Sequence, residues 1–292
     1  MSEGRIVCVG EALVDLIDGA PHFGGALANV AVAAARSGGP AELAGGCGDD
    51  ERGRFLRRRL EEEGVGLRFH AVMEGIDTPH AEVTLSESGE PSFEIHGEGI
   101  AEAIATLRGR ESELVGGAAA VVVGSNTLPE EGSREVTMAI RDAAVAEGIP
   151  LLFDPNLRPG RWEGRLEEAR ELCLDLARNA TLLKLNVDEA LWLLGNEGIE
   201  AERCAEELAQ LGPRLVVVTW GSKGAVARGA CDAEAGAPEV EMASPLGAGD
   251  VFMGTLAAEL WSAGWDLTDV RPALERAAAA GAKACSHLGA FD

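Results

Sequence analysis

Six short apolar runs dominate the chain: RIVCVG (5–10), AELAGG (41–46), AAAVVVGS (118–125), GIPLLFDP (148–155), ATLLKLN (180–186) and RLVVVTWG (214–221). They end at Gly, Asp, Asn or Ser, and they are apolar at consecutive positions instead of alternate ones. Such runs predict strands buried on both faces, the condition of a parallel sheet. Parallel neighbours need long crossovers, and helical spacing fills the intervals at 26–37, 50–63, 130–147, 165–178, 188–194 and 201–211. Strand and helix alternating at this pitch predict a three-layer α/β/α domain with a mostly parallel central sheet. The 292 residues are 46% apolar, enough to bury one large core, and a single domain over 1–292 with a small appendage is expected.

One region breaks the rhythm. Between His80 and Gly99 the apolar positions alternate, as Ala81, Val83 and Leu85 and then Phe93 and Ile95, around a Ser-Gly-Glu-Pro turn. This pattern predicts an antiparallel hairpin that is wet on one face. With EALVDLI at 11–17 it is expected to form a small β lid from about 11–23 and 68–99; an ordinary edge hairpin is the alternative. An exposed antiparallel edge pairs readily, so a homodimer through the lid and a monomer with a solvated lid both remain open. The Gly- and Ala-rich stretch 228–244 reads as a surface turn between two late strands.

Charge narrows the partners. The formal net charge of −24 opposes nucleic acid and anionic membrane, which require clustered Lys and Arg. No apolar run approaches the roughly 18 residues of a membrane span, and the opening residues lack the pattern of a signal peptide, so a cytoplasmic location is expected. Six cysteines without metal-ligand spacing predict reduced, mostly buried thiols. An anionic ligand must therefore be met by local donors, a helix N-terminus or a divalent cation.

The stretch SPLGAGDVFMG (244–254) supplies such a place. Val240–Ala243 reads as a strand, the Gly247-Ala248-Gly249 turn follows, and the apolar spacing beyond it predicts an amphipathic helix. Free N–H groups and the positive end of the helix dipole converge at that turn, and glycine lets backbone approach a phosphate closely. Asp250 in the first turn is placed to accept the proton of an attacking hydroxyl. Plain helix capping by Asp250 is the competing reading.

Taken in order along nearly the whole chain, these motifs resemble the PfkB family of sugar kinases, in the ribokinase-like superfamily. GEALVDLI followed by GGALANVAVAAARSGG resembles the family's first signature, and LGAGD its catalytic turn. The resemblance implies a ribokinase-like fold, ATP as phosphoryl donor, a small-molecule sugar as acceptor and Mg2+. It implies that Asp250 is the base, with Gly247, Ala248 and Gly249 holding the transferred charge. Asp15, Gly24, Gly25 and Asn29 would bind the sugar, a set whose carboxylate, amide and close backbone suit a polyol. For Asn29 a solvent-facing helix position, and for the glycines a simple loop, are the alternatives.

LLFDPNLRPGRW resembles the Asp-Pro-Asn-x-Arg segment of fructokinases and 2-keto-3-deoxygluconate kinases. Arg158 there would reach substrate or phosphate, or else serve in a structural salt bridge. KLNVDEALWLLG matches an Asn-x-x-Glu motif: Asn186 and Glu189 would organise magnesium through water, and Lys184 would contact the nucleotide. Without the resemblance, Asp188 and Glu189 are favourable charges in a first helical turn. Thr219 and Gly221 in VVVTWGSKG would contact ATP, while Trp220 and His287 read as structural.

The chain departs from the family at Ser244-Pro245-Leu246, where most members carry Asp-Thr followed by Thr or Val near a monovalent cation. Potassium activation is therefore not expected. The link from Asp15 to Gly24 is also short, so part of the sugar enclosure is either trimmed or supplied by a partner subunit. Fructose is the preferred substrate on the Asp-Pro-Asn-Leu-Arg segment. The alternatives are 2-keto-3-deoxygluconate, ribose or a nucleoside, and, from another class, a sugar- or nucleotide-sensing protein with little turnover. A nicotinamide oxidoreductase is disfavoured because no GxGxxG follows the first strand.

Overall fold

The computed structural model describes residues 4–85, 91–196 and 198–291. In chain order the strands are β1 (Arg5–Val9), β2 (Leu13–Ile17), β3 (Ala20–Gly24), β4 (Ala41–Gly48), β5 (His70–Met73), β6 (His80–Leu85), β7 (Pro91–His96), β8 (Ala118–Val123), β9 (Leu151–Phe153), β10 (Leu182–Asn186), β11 (Leu215–Thr219), β12 (Ala225–Gly229) and β13 (Ala233–Ala235). The helices are α1 (Ala26–Arg36), α2 (Glu51–Glu62), α3 (Glu98–Ala105), α4 (Glu111–Val115), α5 (Glu131–Glu147), α6 (Leu166–Asn179), α7 (Val187–Leu194), α8 (Ala201–Ala209), α9 (Ala248–Ser262) and α10 (Arg271–Ala284).

All six apolar runs lie side by side. The main sheet has the order β13-β12-β11-β10-β9-β8-β1-β4-β5, parallel from β11 to β5, with β12 and β13 added antiparallel. Both faces are covered, which is why the runs are continuously apolar. In β1, Ile6 and Cys8 pack with α1, α2, α9 and α10, whereas Val7 and Val9 pack with α3 to α8. The two cores on opposite faces make the three layers.

The small sheet has the order β3-β2-β6-β7. Its β2–β3 and β6–β7 pairs are antiparallel, and β2 joins β6 in parallel register. The expected span 68–99 is therefore too wide: β5 pairs with β4 at the edge of the main sheet, because His70–Met73 continues the parallel register at Gly45–Gly48. The turn expected at Ser88-Gly89-Glu90-Pro91 falls largely outside the described residues, as do the side chains of Leu85 and Phe93.

Three further expectations change. Val240–Ala243 is not a strand. It crosses the end of the sheet as irregular chain with Met242 68% exposed, and the N–H groups of Ala243 and Ser244 donate to Cys285 O instead of to a strand. The stretch read as a turn contains β13. Helix α9 is not amphipathic, since Asp250 to Ala258 are all buried between α1, α10 and the sheet. Its approach to α1 is so close that a Cβ on Gly254 would overlap the Val30 carbonyl.

Among the described residues, no helix is long and apolar enough to cross a membrane, and all six cysteines are free, four of them buried.

Candidate active site

The polar residues gather where the parallel strands end, the place where open α/β sheets bind ligands. Glu11 follows β1, Asn126 follows β8, Asp154 and Asn156 follow β9, Asn186 closes β10 and Thr219 closes β11. Two cavities meet there. A small one of about 40 Å³ is lined by Glu11, Asp15, Asn29, Asn126, Arg158 and Asp250, among others. A large one of about 1090 Å³ is lined by Lys184, Asn186, Thr219, Gly221 and Met242, among others. Arg158, Leu246, Gly247 and Asp250 line both, so Asp250 stands at the junction.

Asp250 is fixed by two amides. Asn29 Nδ2 donates to Oδ2 at 2.9 Å and Asn156 Nδ2 donates to Oδ1 at 2.6 Å. Burial pushes the Asp250 carboxyl above the usual range, and the Asn29 hydrogen bond, Arg158 and Lys184 pull the other way. The carboxylate does not cap its helix, because Gly247 is the N-cap and no side chain caps α9. Gly247 has φ 72°, a left-handed conformation that glycine adopts without strain, and a Cβ there would overlap Ala290. The turn therefore presents the head of α9 to the junction. Leu246 anchors it from the other side, packing with Leu13, Ile17, Ala81 and Val83 of the small sheet. This is where the Leu246 departure finds its packing role.

A cation stands beside the turn. Lys184 is almost fully buried, and its Nζ would lie 2.9 Å from a Cβ placed on Gly249. It pairs with buried Asp154 at 2.8 Å. Burial pulls the Lys184 ammonium down, but Asp154, Glu189 and Asp250 outweigh it and hold it above the usual lysine range. A permanent positive charge thus sits against the donor-rich turn, an arrangement suited to charge on a transferring phosphoryl group.

Around the small cavity three carboxylates, Glu11, Asp15 and Asp250, face one guanidinium, Arg158. Burial pushes Asp15 up to about 7, with Arg158 opposing and Asp250 and Glu11 adding to it. A Cβ on Gly24 would overlap the Asp15 carboxylate, so glycine is required there. Gly25, at φ 98°, is the N-cap of α1 and turns the chain so that Asn29 enters the site from the helix. Arg158 Nη1 donates to the carbonyls of Asn156 and Leu157 at 3.3 and 3.4 Å, which holds the guanidinium between the two cavities.

Asn186 and Glu189 form a reciprocal capping box at the start of α7. Glu189 Oε2 accepts from Asn186 N at 3.0 Å, and its Oε1 accepts from Leu157 N at 2.8 Å. Glu189 thereby ties α7 to the Asp-Pro-Asn segment while lining the large cavity. Thr219 and Gly221 also line that cavity. Trp220 packs against the core with Lys223 Nζ 3.6 Å from its ring centre, and it does not line the cavity. His287 meets the Ser286 hydroxyl at 3.4 Å.

Every catalytic, substrate, nucleotide and metal candidate taken from the sequence lines one of the two cavities except Gly24, which supports Asp15 from behind, while Trp220 and His287, read as structural, line neither. Four residues were missed: Glu11, Asn126, Asp154 and Asn156. Asn156 carried a signal, being a polar residue after Pro155 with the amide that tolerates its φ of 42°. Asn126 carried none.

The pfkB family carbohydrate kinase model matches residues 4–292. Fructokinase-1 of Oryza sativa subsp. japonica is 35% identical over 268 residues, covering 86% of this chain and 81% of that protein. The fructokinase of Xylella fastidiosa with bound ATP superposes with a TM-score of 0.82 at 28% identity, over 98% of this chain and 94% of that one. A fructokinase double mutant of Vibrio cholerae O395, in its fructose, ADP and potassium ion bound form, superposes with a TM-score of 0.86 at 28% identity, over 99% and 94%.

Proposed function

The chain belongs to the pfkB family of carbohydrate kinases and is an ATP-dependent sugar kinase of ribokinase-like fold, and on that premise we propose that it transfers the γ-phosphoryl group of ATP to a primary hydroxyl of fructose, giving fructose 6-phosphate. The observation that carries this reading is the position of Asp250, which lines both the small polar cavity and the large one. In this reading the sugar occupies the first and ATP the second.

Asp250 accepts the proton of the hydroxyl as the sugar oxygen attacks the γ-phosphorus and the bond to the ADP oxygen breaks. Negative charge on the phosphoryl oxygens is met by the amides of the Gly247-Ala248-Gly249 turn and by the Lys184 ammonium. Asp15, Asn29 and Arg158 orient the sugar, with Gly24 and Gly25 allowing the close approach. Thr219 and Gly221 border the nucleotide. A cavity of about 40 Å³ is the space of a water or two, so the small sheet acts as a lid that moves to admit a hexose and closes to exclude water.

Magnesium fits the residues at the base of the large cavity. Asp154 Oδ1 is buried without a hydrogen-bond partner among the described residues, and Glu189 accepts one backbone N–H on each oxygen, leaving lone pairs for metal-bound water. Asn186 would assist through water. The ion would neutralise triphosphate charge. With Ser244, Pro245 and Leu246 in place of the usual Asp-Thr stretch, turnover is proposed to be independent of potassium.

Fructose is favoured by the Asp-Pro-Asn-Leu-Arg segment and by the fructokinase names of the similar proteins. The test is ADP release with fructose, 2-keto-3-deoxygluconate, ribose and adenosine, each with and without potassium. Fructose-dependent ADP at the highest kcat/KM supports the proposal. Higher kcat/KM with another acceptor replaces fructose, and tight sugar binding without ADP replaces the catalyst with a sensor.

A further inference from the structure

Glu11 is a buried acid that the proposed phosphoryl transfer leaves unused. It is 2% exposed and lines the small cavity together with Asp15, Asn29 and Asp250. Its two oxygens are unequal. Oε1 accepts from Ala26 N at 3.1 Å and from Asn126 Nδ2 at 2.8 Å, which fixes the entry of α1. Oε2 is buried and has no hydrogen-bond partner among the described residues. The neighbouring Asn29 Oδ1 is in the same condition. A buried acceptor without a donor is costly, and native structures rarely keep one without a use. Sugar hydroxyls are donors, and two bare acceptors on residues that line a cavity opening onto the proposed base are what a polyol would satisfy once the cavity widens to admit it.

We infer that Glu11 is a specificity-determining residue: Oε1 holds the start of helix α1 while Oε2 accepts a hydroxyl hydrogen of the acceptor sugar. The inference rests on the assignment of the small cavity to the sugar. It has a second consequence. Glu11 brings to three the carboxyl groups set against the single Arg158 guanidinium, so the cavity selects neutral polyols and disfavours acid sugars.

Glu11→Gln separates the two oxygens, because a glutamine carbonyl can still accept from Ala26 and Asn126 while its NH2 replaces the bare acceptor with a donor. The measurements are steady-state kinetics and thermal melting of the full chain, using the sugar that the wild type turns over fastest. The expected result is a KM for that sugar raised on the order of 10- to 100-fold. The KM for ATP, the kcat and the melting midpoint should change little. Monodeoxy analogues complete a cycle: the one lacking the contacted hydroxyl should be weaker on the wild type and lose nothing further on Glu11→Gln.

An unchanged sugar KM, or penalties that multiply for every deoxy analogue, would overturn the inference. Failure of Glu11→Gln to fold would do the same, because the bare oxygen would then serve packing. The choice of fructose is judged separately, from the wild-type panel alone.

Discussion

Asn156 Nδ2 donates to Asp250 Oδ1 at 2.6 Å, opposite the 2.9 Å bond from Asn29 to Oδ2. Ninety-four residues apart in sequence, the pair is brought together because β9 ends beside the head of α9. Two amide donors favour the ionised carboxylate against the burial that disfavours it, and they leave its orientation fixed. Asp250→Asn should lower kcat on the order of 10² or more with little change in sugar KM. Asn156→Gly removes one donor while accepting the same left-handed backbone. It should lower kcat about tenfold and move the acid limb of the kcat profile to higher pH, since loss of a donor raises the Asp250 pKa further. Stopped-time ADP assays from pH 5 to 9 check both.

Asp15 ties folding stability to pH. Its carboxyl is pushed from the ordinary 3.8 up to about 7, so between those values the folded protein binds more protons than the unfolded one. Stability contributed by this group is full below the lower value and is lost as pH rises through the upper one. Asp15→Asn should therefore raise the melting midpoint at pH 8 by roughly 5 °C and change it little at pH 4, while sugar KM rises. A midpoint difference independent of pH would contradict the assignment.

The Lys184–Asp154 pair, both side chains 5% exposed, lets the proposed role of the ammonium in turnover be tested apart from its role in the fold. Lys184→Met leaves a buried carboxyl unpaired and should cost about 3–5 kcal/mol in chemical denaturation. Adding Asp154→Leu should recover most of that stability, because an apolar pair replaces the uncompensated group. It should not recover turnover, because the charge beside the turn is still missing. Denaturation and ADP release measured on both variants separate the two roles.

Two glycines of the same turn should behave differently. Gly247→Ala forces a Cβ into a left-handed residue and into Ala290, so it should lower the melting midpoint and abolish activity together. Gly249→Ala meets only the end of the Lys184 side chain, at 2.9 Å. It should keep the fold and lose kcat about tenfold or more, by displacing the ammonium and narrowing the proposed anion seat.

Gly247, Gly249 and Asp250 were legible from local chemistry, because they stand together where a glycine turn enters a helix. Asp15, Asn29, Arg158, Lys184, Asn186, Glu189, Thr219 and Gly221 were legible only through the resemblance of their motifs to a family. The six strands could be read because burial on both faces leaves continuous apolar runs. Strand β13 escaped because its alanines carry little β signal. Val240–Ala243 misled because an exposed valine and methionine bordering the large cavity look like a strand when the cavity is unseen.

Local periodicity thus determined the α/β class, the parallel sheet and the glycine turn at the head of α9, because side-chain spacing and glycine conformation act over a few residues. Only the tertiary structure decided which polar groups share a site. Glu11, Asn126, Asp154, Lys184 and Asp250 meet because strand order sets the ends of β1, β8, β9 and β10 beside α9. That order follows from packing two faces of one sheet against many helices, a balance of distant contacts that no short stretch of sequence contains.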